Sequence, residues 1–183
     1  MLGETGTHRG LSGGPRLEDV DEGAIDKSRM AEALGLSLGE HLVVWALRRL
    51  VARRGLDQLT MMEFKELCGP GAPQVLATFQ GFLAIAGHAS RHPVNVGYPG
   101  YVGLTMDERH LVALLSAAQA GETDRFSAHL RFMSRPETRE DLGIAANGLA
   151  AIFAAHGLEF GPPAMPPTTP RALDPRSAVA LVR

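Results

Sequence analysis

Cysteine is almost missing from this chain of 183 residues: Cys68 stands alone. That excludes an intramolecular disulfide and any multi-cysteine zinc or iron–sulfur site, and a reducing cytoplasm is the expected compartment. Lysine is nearly as scarce. Lys27 and Lys65 are the two lysines among 18 basic residues, the rest being arginines. Ala and Gly are abundant as well, so the bias reads as the mark of a GC-rich coding sequence and carries no mechanism. No charge of one sign dominates either, since 18 Lys and Arg meet 20 Asp and Glu for a net charge of -2 and a pI near 6.4. Without a general basic field to gather phosphates, a nucleic-acid partner is not expected. Long hydrophobic runs are also absent. The longest, Leu42 to Leu47, is far short of the ~20 residues that cross a bilayer as a helix, which argues against an integral membrane protein. Residues 1–11 have no apolar stretch of the length a signal peptide needs, so secretion is not expected.

What remains is ordinary for a globular chain: 45% hydrophobic and 21% charged residues, with a length that suits one domain of roughly 100–200 residues. Three segments stand out. Residues 1–25 hold six glycines and few large apolar side chains, which reads as a flexible arm. Residues 161–183 hold six of the 12 prolines, which favours an extended tail. Residues 26–160 between them carry the helical signals.

The fold expected is all-α, an irregular bundle of about six helices. Ser37-Leu38-Gly39-Glu40 has the form of a capping box and opens a helix to about Arg54, with Gly55 as its stop. Arg48, Arg49, Arg53 and Arg54 crowd its last turns; they could receive an acidic partner or phosphate, but a solvated helix end is the commoner meaning. Thr60 to Glu63 repeats the box for a short helix ending near Cys68, and Pro73 suits the first turn of a longer one to about Ser90. Val75, Leu76, Phe79, Phe82, Leu83 and Ile85 make that third helix apolar nearly all round, the candidate centre of the core. Thr105 to Glu108 is a third box, closed by Gly121. A short helix follows from about Thr123 to Met133, and Pro136 starts the last, with Leu142, Leu149, Ile152 and Phe153 on its stripe. Between helices, Val94, Val96 and Tyr98 alternate before Pro99-Gly100, a pair suited to a type II turn. An ordered loop or small β-hairpin over 94–104 is expected.

Chemistry is thinly marked. His88 and His92 are spaced i, i+4 and could share a helix face, with His110, Asp107 or Glu108 to supply a third ligand. No fixed third ligand is evident, and histidines near a helix C-terminus complement its negative end. A metal is therefore not favoured, and no cofactor is expected. Cys68 lies near a helix end, where nothing depresses a thiol pKa; Asp107 and Glu108 are explained by capping. The helices around Gly69-Pro70-Gly71 invite a helix-turn-helix reading. The second exposes no base-reading residues, offering Phe79, Phe82 and Leu83 instead.

From Phe64 to Phe160, the Gly-Pro-Gly-Ala-Pro segment, the Phe79 to Ile85 core, Arg91-His92-Pro93 and Leu104 to Glu108 are similar to small uncharacterised helical bacterial proteins. The resemblance implies a helical fold and no particular activity.

The function expected is that of a small cytoplasmic, non-enzymatic module that binds another protein. Tyr98 and Tyr101 flank a turn where amphipathic rings make good contacts. Pro163 with Pro166, and Pro167 with Pro170, form two Pro-x-x-Pro stretches, while Val179 and Leu181 add an apolar end. The alternative is a metal-binding protein or enzyme centred on His88, His92 and His110.

Overall fold

The structure, a computed structural model, describes residues 35–161 and 178–180. The arm over 1–25 lies outside them, as do Pro163, Pro166, Pro167, Pro170 and Leu181. The described chain is mostly helical: α1 (Leu38–Arg53), α2 (Gln58–Cys68), α3 (Ala72–Ala89), α4 (Met106–Ala120), α5 (Thr123–Met133) and α6 (Arg139–Ala155). Two short strands, β1 (Asn95–Gly97) and β2 (Ala178–Ala180), pair antiparallel. Among the described residues no helix is long and apolar enough to cross a membrane.

Local chemistry explains most of the boundaries. Ser37 accepts from the Glu40 amide and Glu40 from the Ser37 amide, the reciprocal capping box that starts α1. Arg54 ends that helix in the left-handed conformation, with φ at 56°, one residue before Gly55. The box expected at Thr60 does not form. Asp57 is the N-cap of α2, taking both the Thr60 amide (2.8 Å) and the Thr60 hydroxyl (2.6 Å). A carboxylate three residues upstream is the stronger acceptor, so the helix begins earlier and Thr60 is buried within its first turn. Burial pushes the Asp57 carboxyl up, but the bonds from Thr60 and the Arg49 guanidinium prevail and hold it at about 2. The last helix also departs from expectation: Pro136–Thr138 forms a 3-10 turn, and α6 starts at Arg139.

In the core, α3 packs on α2 and α6, while α4 packs on α5 and α6 and meets α1. Phe79, Phe82, Leu83, Leu111, Leu115, Leu149 and Phe153 share one buried cluster, with Ile152 packed partly buried against it. The Phe64 and Phe79 rings lie 5.7 Å apart, which joins α2 to the same cluster. Cys68 is buried and free, its thiol pushed up by burial, so it acts as a small apolar side chain.

Phe82 is 1% exposed at the centre of α3. Phe82→Ala should therefore cost about 3–5 kcal/mol in urea unfolding, from lost burial and a residual cavity. A loss under about 1 kcal/mol would place Phe82 outside the tightly packed core.

Candidate functional site

The first turn of α4 organises the region. Thr105 caps the helix, accepting from the Glu108 amide (3.0 Å), and Glu108 accepts from the Thr105 amide (2.8 Å). The same residues hold β1. The Asn95 amide donates to Asp107 (2.7 Å), the Gly97 amide to Glu108 (3.0 Å), and the Thr105 hydroxyl to the Asn95 carbonyl (2.7 Å). One edge of β1 is thus satisfied by side chains of a helix N-terminus rather than by a strand. Successive residues of a strand turn their amides to opposite edges, so Val96 faces the other way. There Val96 stands opposite Val179, Asn95 opposite Ala180 and Gly97 opposite Ala178.

Arg48 secures this arrangement from α1. Its Nε donates to Glu108 Oε1 at 2.7 Å and one Nη to Oε2 at 2.8 Å, a bidentate pair between side chains 1% and 0% exposed. Two further N–H groups reach the Tyr101 carbonyl (2.8 Å) and the Gly103 carbonyl. Counting the Gly97 and Thr105 amides, the carboxylate accepts four hydrogen bonds, so neither charge is left bare. Arg48 does not belong to a solvated helix end, and capping alone does not account for Glu108. Arg49, also buried, pairs with Asp57 and stands 5.3 Å from the Trp45 ring centre.

Pro99-Gly100 forms the expected turn. The Tyr101 amide donates to the Tyr98 carbonyl at 3.0 Å and Gly100 has a φ of 87°, the conformation a type II turn requires of its third residue. The hairpin does not form. β1 takes β2 as its partner, because Tyr101 and Gly103 turn their carbonyls onto Arg48 instead of pairing back along β1. Tyr98 is 46% exposed and its ring lies 5.7 Å from that of Tyr101, which packs beneath the Arg48 guanidinium at 5.5 Å. At Gly97 an added Cβ would lie 3.0 Å from the Tyr101 ring and 3.2 Å from Arg48. The bare backbone there is a condition of the close packing. Tyr98, Tyr101 and Val179, expected on separate grounds to make contacts, therefore fall in one place.

The histidines fall apart. α3 ends at Ala89 and Ser90 is extended, so His92 lies beyond the helix and cannot share a face with His88. His88 lines a shallow groove of about 410 Å³ between α3 and α6, with Ile85, Asp141 and Ile144. The His92 ring is exposed, 3.2 Å from the Pro93 carbonyl. His110 pairs instead with His129 of α5, and among the described residues no group of three His, Cys, Asp or Glu could hold a metal ion.

Arg48 had a legible signal, since its neighbours one turn away along α1 are the apolar Val44, Trp45, Val51 and Ala52. Glu108 and His129 gave none beyond their positions. Comparison with family models, with curated proteins and with solved structures finds no match to this chain.

Replacing one member of the buried pair leaves the other uncompensated. Arg48→Met and Glu108→Gln should each cost about 3–5 kcal/mol in urea unfolding, and Arg48→Met with Glu108→Leu clearly less than the sum of single losses. Single losses under about 1 kcal/mol would remove the pair from its structural role.

Proposed function

We propose that this chain is a small cytoplasmic protein-binding module whose contact surface is the outer edge of β1 together with the Tyr98–Tyr101 turn. The observation that carries the reading is the register of β1 with β2: Val96, three residues before a half-exposed turn, takes an extended segment from the far end of the same chain. An edge that accepts a strand from its own chain can accept one of similar chemistry from elsewhere, main-chain hydrogen bonds giving affinity and alternate side chains giving selectivity. The inner edge is already satisfied by Asp107, Glu108 and Thr105, so the edge stays in place whether or not a strand occupies it. The Tyr98 ring, exposed beside the strand, supplies the amphipathic contact such a groove uses. On this reading the C-terminal strand is an internal competitor. A tethered segment acts at an effective concentration that an outside peptide must exceed.

The test uses the full chain with Val179→Pro. Proline has no amide hydrogen to give to a ladder, so the internal strand is released while the helical core is untouched. A labelled peptide of residues 175–183 is then titrated against both proteins and followed by fluorescence anisotropy. The variant should bind the peptide more tightly than the unsubstituted chain does, and neither should bind a peptide carrying proline at the position of Val179. If the variant binds the peptide no better, the edge does not receive strands and the reading fails.

A further inference from the structure

We propose that His110 and His129 form a chelating site for one divalent transition-metal ion of the zinc, nickel or copper kind, held between α4 and α5. The proposal is independent of the strand-edge reading. The two Nδ1 atoms face each other at 3.2 Å. Ligand nitrogens about 2.0–2.1 Å from a tetrahedral zinc ion stand about 3.3 Å from each other, so the pair already has the separation a shared ion requires. The imidazoles come from different helices that pack together along their length. Their approach is fixed by the fold, not by the chance rotation of one flexible surface. Phe132, one turn beyond His129 on α5, stacks on the His110 ring at 3.9 Å and 28°, which fixes the plane of that ring. A His110 ring held in this way loses little freedom on binding an ion, the usual advantage of a supported ligand.

Both rings are partly buried, and burial pushes both down from the ordinary imidazole range; a neutral ring is the form that ligates. Asp107, one turn before His110 on α4, works in the opposite direction on that ring and favours a cation beside it. Arg125, one turn before His129 on α5, opposes a cation, but it is engaged by Glu122 in an ion pair. Without an ion, one Nδ1 carries a hydrogen and donates to the lone pair of the other. With an ion, both Nδ1 lone pairs are needed, so the donor ring moves its hydrogen to Nε2 by exchange with solvent. Each ring stays neutral and no net proton is released. Two protein ligands leave the other positions to water, which makes this an open site rather than a closed structural centre.

The test is calorimetric titration of zinc chloride into the full chain carrying no affinity tag. One ion per chain should bind. His110→Ala and His129→Ala should each weaken it by at least about tenfold, since even the loss of an outer partner weakens metal sites by roughly 10–100-fold. His88→Ala and His92→Ala should bind as the unsubstituted chain does. A second measurement needs no variant: in the unsubstituted chain, zinc should shift the ring proton resonances of His110 and His129 before those of any other histidine. Absence of saturable binding, unchanged affinity in both site variants, or first shifts at other histidines would each overturn the proposal.

Discussion

Arg48 and Glu108 stand 60 residues apart in the chain and meet at full burial. Two charges removed from water are costly unless their geometry is good and every remaining donor and acceptor is used. Here the arginine spends its donors on both carboxylate oxygens and two carbonyls, and the carboxylate accepts from two amides besides. These bonds tie α1, β1, the following turn and α4 into one unit. Moving any of them by an ångström or two strands a buried polar group. A well-packed apolar substitute could match the energy of such a pair but would not supply its directed hydrogen bonds.

The consequence appears at β1. A three-residue strand cannot hold itself in place, and its inner edge is held by carboxylates of a helix first turn. Gly97 lies against the Arg48 guanidinium and the Tyr101 ring, which fixes its backbone from the side. The outer edge is therefore presented rigidly, with Tyr98 half-exposed beside it, and the segment Ala178–Ala180 lies along it. If the edge receives strands as proposed, this preorganisation lowers the freedom lost when one is added.

The sequence was readable wherever the deciding chemistry is local. Ser37 with Glu40 and Thr105 with Glu108 cap helices as their spacing implies, and Pro99-Gly100 makes its turn. The apolar third helix supplies much of the core. The sequence is silent where two local options compete or where the partner is distant. Asp57 outcompetes Thr60 as a cap because a carboxylate accepts more strongly than a hydroxyl. The alternation at Val94–Tyr98 marks a strand, but pattern alone cannot say that its partner lies beyond residue 177 rather than after the turn. His88 and His92 have helical spacing, yet Ser90 leaves the helix between them. An arginine on an apolar face names no partner. Only the fold brings Glu108 to Arg48, and only the packing of α5 on α4 brings His129 to His110.

The Glu108 carboxylate, held by Arg48, anchors β1 and the α4 cap. Amide hydrogen exchange at Gly97 and Thr105, the two amides that donate to that carboxylate, tests it directly. Both should exchange only on global unfolding, with the same free energy as core amides such as that of Leu115. Exchange of either as fast as Val102, which is 79% exposed on the adjoining turn, would contradict it.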